Sequence, residues 1–188
     1  MHYLVADKSA IDEALIPPAR IVAQGEMTVL EGPWPWRSLV IARVDDGVLD
    51  EIRNQGRDGY AVEALDDPGI GQAFVIAAHR MRDEEGFRPY TERVADVVER
   101  FGGRFLARAT KVTLLGEGFA PDRGVIIEFP RAADAVAFYV SEAYAPLLTI
   151  RHATSDPRFV VMTRSGAMPA SARARIASYW RARRASSH

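Results

Sequence analysis

The second half of the chain alternates short apolar runs with one long amphipathic segment. Residues 73–81 form an apolar run that contains β-branched residues, which predicts a buried strand. After Asp83, apolar residues recur at steps of three and four as far as Phe101, so they share one face of a helix. Gly102 and Gly103 end that helix, because glycine adopts the left-handed cap conformation without a steric penalty.

Three further strands and one further helical region follow in the same half. Apolar runs at residues 104–115 and 124–129 predict a second and a third strand, separated by the turn sequence GEGFAPDR. A second helical region covers residues 132–150, and a fourth strand covers residues 158–162 after a Ser-Asp-Pro turn signal. The order β-α-β-β-α-β is the ferredoxin-like, split βαβ plan.

The first half of the chain repeats this plan in reduced form, with a brief helix over residues 11–15 in place of the long one. Residues 19–32 align with residues 103–116 without a gap, and the next strand aligns once two residues are left out of the turn. The aligned identical residues are Arg20 and Arg104, Ala23 and Ala107, Leu30 and Leu114, Gly32 and Gly116, Arg37 and Arg123, Ile41 and Ile127, and Tyr60 and Tyr144. This ordered series predicts an internal repeat whose first copy is degenerate.

The repeat divides the chain into three parts. We predict a degenerate ferredoxin-like lobe over residues 1–70, an intact ferredoxin-like lobe over residues 71–164 and a basic amphipathic tail over residues 165–188. From residue 164 onward the chain has six Arg and no acidic residue, and Ile176 and Trp180 belong to one apolar helical stripe. This pattern predicts a helix that docks onto the protein body or onto a second subunit.

Several blocks of the second half carry a resemblance to a known family. They are the strand FVIAAHRMRD, the helix with Tyr90, the junction FGGRFLAR, the segment PDRGVIIEFP with Arg123 and Glu128, the segment FYVSEAYAPLLTIRHA with Tyr139, Ser141, Tyr144 and Arg151, and the strand DPRFVVM. In their order and spacing these blocks, over residues 73–162, resemble the domain-of-unknown-function family DUF1330, which is part of the dimeric α+β barrel superfamily.

This resemblance implies a fold and a pocket. The superfamily pairs two ferredoxin-like subunits sheet to sheet, so two copies in one chain imply an α+β fold in which tandem lobes close an intramolecular dimeric α+β barrel. Such pairing covers the sheet face that the helices leave open. We expect the first lobe to close off a cavity whose functional side chains come from the second lobe. The superfamily includes cofactor-free oxidation, lactone isomerisation, dehydration and haem chemistry, so the fold alone does not define the reaction.

Composition excludes several kinds of chemistry. The 188 residues include no Cys, which excludes disulfides, thiolate nucleophiles and zinc–thiolate sites. The net charge of −1 produces no overall field that would attract nucleic acid. No apolar stretch approaches the roughly 18 residues of a membrane span, and the first residues lack the pattern of a signal peptide. We therefore expect a cytoplasmic protein with neither nucleic-acid nor membrane partners.

Three residues of the second lobe are candidate catalytic groups. Glu128 lies in an otherwise apolar strand, where a carboxylate is costly unless paired, and Arg123 is the expected partner. The pair is either structural or a tuned carboxylate that acts as a base or a substrate anchor. His79 ends the first strand of this lobe and carries an imidazole suited to proton transfer, with a structural role as the alternative. The first copy has Ala42 at the position aligned with Glu128, which predicts that its own site is inactive.

The expected substrate-binding residues are aromatic or basic. They are Tyr90, Tyr139, Tyr144, Arg151, His152, Trp34 and Trp36. The tyrosine rings either pack in the core or form a pocket wall that binds a phenol or a ketone, and the two tryptophans either cover the pocket or simply pack. The chain has neither a metal-ligand spacing such as HExxH nor a Gly-rich phosphate loop, so we expect no metal and no cofactor.

Together these features predict a small enzyme that transfers a proton on a hydrophobic, oxygenated small molecule. Isomerase, cyclase or dehydratase chemistry in natural-product biosynthesis or catabolism fits best, with His79 or Glu128 moving the proton while Arg123 and Arg151 hold negative charge. A non-catalytic binding or accessory protein is the alternative, and a cofactor-free monooxygenase or a haem-binding barrel is the second. We expect a monomeric pseudo-dimer or a homodimer.

Overall fold

The structure is a computed structural model that describes residues 1–11 and 14–185. Within these ranges the chain folds into two antiparallel five-stranded sheets and five α-helices. None of the helices in the described part is long and apolar enough to cross a membrane. Residues 12 and 13 of the predicted brief helix lie outside the described ranges, and a 3-10 helix, Lys8–Ala10, precedes them.

The first sheet is built mainly from the first half of the chain. From edge to edge its strands are β2 (Ile21–Glu26), β4 (Ser38–Val44), β1 (His2–Asp7), β5 (Gly59–Glu63) and β8 (Thr113–Leu114). Helix α1 (Asp46–Asn54) connects β4 to β5. Its N-terminus is capped by the Asp45 carboxylate, which accepts a hydrogen bond from the backbone N–H of Val48 at 3.1 Å.

The second sheet belongs mainly to the second half. From edge to edge its strands are β3 (Thr28–Glu31), β10 (Ser155–Thr163), β6 (Ala73–Met81), β9 (Arg123–Phe129) and β7 (Arg104–Ala109). Helix α2 (Glu84–Arg100) follows β6, and helices α3 (Ala132–Tyr139) and α4 (Ala145–Thr154) connect β9 to β10. The predicted long helix is thus present. It is capped by Asp83, whose carboxylate accepts a hydrogen bond from Gly86 N at 2.9 Å.

Both sheets follow the ferredoxin-like strand order. The orders β2-β4-β1-β5 and β7-β9-β6-β10 are equivalent, because each places the lobe's first strand between its third and fourth. The predicted fold class is therefore confirmed. The fifth strand of each sheet comes from the other lobe: β3 continues from β2 but pairs with β10, and β8 continues from β7 but pairs with β5. The two lobes are joined by this reciprocal exchange.

The two second strands share an irregularity in pairing. The register of β2 on β4 shifts between Ile21 and Ala23, and that of β7 on β9 shifts at the aligned position. This agreement supports the alignment of the two second strands, while the duplication itself stays a prediction. The proposed match of Tyr60 with Tyr144 is wrong, because Tyr60 lies on the fourth strand of its lobe and Tyr144 immediately precedes α4.

The alignment of the two third strands is also wrong, by one residue. In the strand pairing, Ala42 takes the same place opposite β2 that Ile127 takes opposite β7. The residue that corresponds to Glu128 is therefore Arg43 and not Ala42. The apolar run in β4 buries side chains on both faces of the sheet. It therefore lacks the period-two pattern that would have defined the register in the sequence.

Apolar side chains fill the space between the two sheets. Alternate residues of β1 and β4, such as Val5 and Ile41, pack against Phe74, Ile76 and Ile126 of the second sheet. The other face of the second sheet packs against α2, α3 and α4, and the other face of the first sheet packs against α1. The space between the facing sheets is thus occupied by core, whereas an open cleft elsewhere in the structure is lined by residues of both lobes.

The basic tail forms a helix, α5 (Ala170–Ala185), that docks onto the second lobe. Ala172 and Ile176 are buried in the core on the helix side of the second sheet. The rings of Tyr179 and Trp180 lie 6.0 and 6.3 Å from the ring of Tyr139. Docking onto the protein body is therefore observed for the described part of the tail, and residues 186–188 lie outside that part.

Candidate active site

Glu31 is the centre of a buried hydrogen-bond network. It is the last residue of β3, and its side chain is 5% exposed. Its Oε1 atom accepts hydrogen bonds from the Arg151 guanidinium and from the Tyr139 hydroxyl. Its Oε2 atom lies 2.5 Å from Nε2 of His152. One carboxylate from the first half of the chain thus binds three side chains of the second half.

The network extends behind Arg151 to two further tyrosines. Nη1 of Arg151 donates to the Tyr144 hydroxyl at 2.7 Å, and the hydroxyls of Tyr144 and Tyr90 are 3.1 Å apart. The guanidinium also stacks on the ring of Phe159, 3.7 Å from its centroid. The structure therefore brings together the predicted residues Tyr90, Tyr139, Tyr144, Arg151 and His152.

Helix geometry explains why the side chains of Arg151 and His152 point in different directions. They are consecutive residues near the end of α4, so their side chains leave the helix about 100° apart. Arg151 is fully buried, whereas the His152 side chain is 42% exposed. Gly32 directly follows Glu31 with φ +67°, and a Cβ there would lie 2.5 Å from the carbonyl oxygen of Pro157. Glycine is thus required for β3 to approach β10 at this point.

Electrostatic interactions keep the Glu31 carboxylate, at the centre of the network, ionised. Burial would raise the pKa of Glu31, but the hydrogen bond from His152, the charge of Arg151 and the hydrogen bond from Tyr139 outweigh it, so this pKa lies below its ordinary value. Burial raises the pKa of Tyr139 and of Tyr144. Glu31 is therefore an ionised acceptor at neutral pH, and the tyrosines are neutral.

His79 is buried beside this network in a fixed tautomer. Its Nδ1 lies 3.2 Å from the Ser155 hydroxyl, which donates its own proton to the Arg151 carbonyl at 2.9 Å. Nδ1 must therefore be the donor to Ser155. Burial, and secondarily the charge of Arg151, lowers the pKa of His79 to about 3. The ring is thus neutral at physiological pH, with its lone pair on Nε2.

An open cleft of about 980 Å³ adjoins these residues. Glu31, His79, His152 and Ser155 are part of its wall, and the first half of the chain also contributes the turn after β3. Its charged lining residues include Arg80, Arg82, Arg158, Arg184, Asp58 and Asp156. The cleft is therefore rich in arginine. A second, smaller and more apolar cavity shares His79 with it.

Comparison with protein families places the second half of the chain. The model of DUF1330, described as a domain of unknown function, matches residues 72–165. The chain belongs to the DUF1330 family. The DUF1330 region contains His79, Arg151 and His152, whereas Glu31 and helix α5 lie outside it. The expected resemblance is thus confirmed for the second half, and the network also uses a residue from the first.

Other comparisons add little to the DUF1330 assignment. No curated protein sequence matches the chain. A crystal structure of a protein of unknown function from Rhodopseudomonas palustris, a structural genomics target, is similar with a TM-score of 0.43 and 18% sequence identity. The similar region covers 68% of this chain and 97% of that one.

The predicted pairing of Glu128 with Arg123 is wrong. Nε of Arg104 lies 2.8 Å and Nη2 of Arg164 lies 3.2 Å from the Glu128 carboxylate, which also accepts a hydrogen bond from Gly69 N at 3.0 Å. Arg123 pairs instead with Glu84. Arg123 and Glu128 are five positions apart on one strand, so their side chains point to opposite faces of the sheet. Glu128 also lies outside the lining of the cleft.

The two tryptophans pack behind the cleft and do not cover it. Their rings lie 5.4 Å (Trp34) and 5.9 Å (Trp36) from the ring of Phe119, and Phe119 lines the cleft. Nε1 of Trp36 is 3.4 Å from the Asp58 carboxylate. Of the two alternatives for this turn, the structure supports packing. The tryptophans therefore support one wall of the cleft through their contacts with Phe119.

Sequence reasoning missed Glu31, although the repeat contains a signal for it. In the alignment of residues 19–32 with residues 103–116, Glu31 stands against Leu115, which is 3% exposed in the structure. A carboxylate at a position that is apolar in the other copy implies a buried charge with a specific partner.

Across the described part of this DUF1330 protein, no group of three or more His, Cys, Asp or Glu side chains is arranged to hold a metal ion.

Proposed function

We propose that this DUF1330 protein is an acid–base enzyme in which His152 exchanges a proton with a small carbonyl compound bound in the cleft. The observation that carries the proposal is the contact between the Glu31 carboxylate and the His152 ring, 2.5 Å apart. Glu31 is buried and ionised, and His152 is partly exposed in the cleft wall. A carboxylate that orients an imidazole at a cleft is a recurrent arrangement for proton transfer.

The hydrogen bond defines which nitrogen can act as the base. An ionised carboxylate is only an acceptor, so Nε2 of His152 carries the hydrogen that it donates to Glu31. In the neutral ring Nδ1 then holds the lone pair that accepts a proton from the substrate. Arg151 supports this state, since its charge helps to keep Glu31 ionised. Glu31 and Arg151 are thus positioning residues.

The charges of the cleft favour a reaction that develops negative charge. Removal of a proton next to a carbonyl produces an enolate, and fixed cations stabilise such an anion. Arg80 and Arg158 both line the cleft, with the Arg158 guanidinium 4.6 Å from the ring centroid of Phe119. Isomerisation of a β,γ-unsaturated lactone is a suitable model reaction. The base removes the α-proton and one proton returns at the γ-carbon, so no electrons are gained or lost and no cofactor is required.

Solvent deuterium exchange tests this function. The protein is incubated in D2O with 2-tetralone or with α-angelica lactone, and proton NMR follows loss of the α-proton signal. We expect exchange well above the buffer rate, and a decrease of about 100-fold or more in His152→Ala. His2→Ala is the matched control, because His2 also bonds to a carboxylate, that of Asp46 at 2.8 Å, but lies outside the cleft lining. Its exchange rate should stay within about twofold of wild type.

The binding-protein alternative stands because one of the bases predicted from the sequence, His79, is unsuited to that role. The pKa of His79, about 3, is far below the value that suits a general base at neutral pH. A pure binding protein would be stabilised by these compounds, seen as a raised melting temperature, without any exchange above the buffer rate. That result would exclude the enzymatic proposal. Exchange that is equally fast in wild type and in His152→Ala would exclude His152 as the base.

A further inference from the structure

The smaller cavity lies on the helix side of the second sheet, between α2 and strands β6, β7 and β9. Its volume is about 240 Å³. Its apolar lining residues come from the helix and from the sheet, and they include Phe87, Val94, Phe105, Val125, Ile127 and Phe159. An engineered apolar cavity of about 150 Å³ binds benzene, so this one has room for a substituted ring or a fused pair of rings.

Four polar or charged lining residues lie toward solvent, whereas His79 and Tyr90 are buried. Thr91, Arg108, Thr110 and Arg123 line the cavity and are partly or largely exposed, whereas most of the apolar lining residues are buried. Two of the four are cationic, and no acidic residue of the described ranges is part of the lining. The cavity therefore combines an apolar interior with a positively charged entrance, which is complementary to a compact apolar anion.

Arg123 is the cation best placed to bind such an anion. Its guanidinium lies 5.2 Å from the ring centroid of Phe87, another residue of the cavity wall. Its Nε atom is buried and has no hydrogen-bond partner in the described part of the chain. Its ion pair is with Glu84, whose side chain is 62% exposed. The Arg123 side chain is itself only 16% exposed, so Glu84 reaches it from solvent and gives up little by releasing it, and a ligand carboxylate can take its place.

We propose that this cavity binds a small aromatic carboxylate, with its ring among the apolar residues and its carboxylate on the Arg123 guanidinium. Arg108 adds a second positive charge at the entrance and is held in place, because its guanidinium donates to the backbone carbonyl of Thr91. The neutral His79 ring at the inner end has no charge that would compete for the carboxylate. This site is separate from the proton-transfer proposal, which uses His152 in the cleft.

Calorimetric titration with 1-naphthoate tests the charge requirement. Its amide, 1-naphthamide, has nearly the same shape without the charge. At physiological ionic strength we expect wild-type protein to bind naphthoate at least tenfold more tightly than the amide. Arg123→Gln should weaken naphthoate binding about tenfold and abolish the preference over the amide. Arg88→Gln is the matched control: Arg88 is also near the start of α2 but pairs with Glu92 and lies outside the cavity lining, so its affinity should stay within twofold.

A second measurement locates the ligand. Val125→Phe fills part of the cavity and should abolish binding of both compounds, with unchanged circular dichroism as the check on folding. Should that variant not fold, intermolecular nuclear Overhauser effects in wild-type protein replace it, and we expect contacts from the naphthoate ring to the methyl groups of Val94, Val125 and Ile127. Contacts to other methyl groups, equal affinity for naphthoate and its amide, or equal effects of Arg123→Gln and Arg88→Gln would overturn the proposal.

The two proposals fail independently. Naphthoate binding requires no turnover, so His152→Ala should bind naphthoate with wild-type affinity. Loss of deuterium exchange in His152→Ala together with absence of naphthoate binding in wild type would refute only the cavity proposal. Tight, Arg123-dependent naphthoate binding in a protein without exchange activity would refute only the enzymatic one.

Discussion

Glu31 and Arg151 form a buried ion pair although 120 positions separate them in the chain. Strand β3 brings Glu31 to the second sheet, where it lies next to Phe159 of β10. Arg151 belongs to helix α4, which places its guanidinium beside the Glu31 carboxylate. The pair therefore depends on the strand exchange between the lobes, and it connects that exchange to the candidate base His152.

Removal of the Glu31 charge should strongly destabilise the fold. In Glu31→Gln the Arg151 guanidinium stays buried without a counter-charge, which costs about 3–5 kcal/mol of unfolding free energy. Urea unfolding at neutral pH measures this. Glu26→Gln is the control, since Glu26 is exposed at the end of β2 and its loss should change stability by less than about 0.5 kcal/mol. Equal stabilities of the two variants would show that the pair is not a net structural interaction.

Glu128 should prove to be structural. In Glu128→Gln, Arg104 and Arg164 lose a charged acceptor, and because both arginines are partly exposed the loss should be moderate, about 2 kcal/mol. Deuterium exchange in the cleft should stay close to wild type, because Glu128 does not line it. Stability is read from urea unfolding and activity from NMR. A variant of normal stability without exchange would restore the catalytic hypothesis for this residue.

His79 should make stability depend on pH. In the unfolded chain its pKa is about 6.5, so the unfolded state binds a proton below that pH, whereas the folded state resists protonation down to a pKa of about 3. Stability therefore falls as the pH decreases from about 6.5, by up to about 1.4 kcal/mol per pH unit. Between pH 7 and pH 5 this residue alone should remove about 2 kcal/mol.

The variant His79→Phe isolates that contribution. Phenylalanine fits the aromatic surroundings of Phe87 and Phe159 and does not titrate. Urea unfolding at pH 7 and at pH 5 should show a difference smaller by about 2 kcal/mol than in wild type. Glu31, whose pKa is lowered, affects stability only at lower pH, so it does not contribute in this window. The same pH dependence in both proteins would mean that the pKa of His79 is the same in the folded and the unfolded state.

Two glycines with the same backbone conformation should respond differently to alanine. Gly32 has φ +67° and Gly56 has φ +63°, but an added Cβ meets Pro157 O at 2.5 Å in the first case and no atom of the described residues within 4 Å in the second. Gly56→Ala should cost about 1–2 kcal/mol for the left-handed conformation alone. Gly32→Ala should cost about 1–3 kcal/mol more and should also slow exchange, because it displaces the neighbouring Glu31. Similar melting temperatures for the two variants would contradict the close approach.

The second lobe was predictable because its patterns are local. The three- and four-residue spacing from Phe87 to Phe101 reports the buried face of α2 directly, and Gly102 with φ +72° ends the helix as expected. The cluster of Tyr139, Tyr144 and Arg151 follows from their nearness along the chain. Strand order followed from the order of the elements, because the split βαβ plan permits few arrangements.

The partners of the buried charges were not predictable in the same way. Arg123 is close to Glu128 in sequence, but alternation along a strand separates them, and the partners are Arg104 of β7 and Arg164 of the turn after β10. Glu31 meets His152 only because β3 crosses to the opposite sheet. Such pairings depend on tertiary structure, which hydrophobic periodicity does not report.

The reciprocal strand exchange also limits how this molecule can be subdivided. A fragment that spans only residues 72–165 would lack β3, so β10 would become an unprotected edge that is prone to intermolecular pairing. The same fragment would expose the inter-sheet face of β6 to water and leave Arg151 without its acid. Expression of residues 72–165 alone should therefore yield insoluble protein, and a soluble version has to retain both halves of the chain.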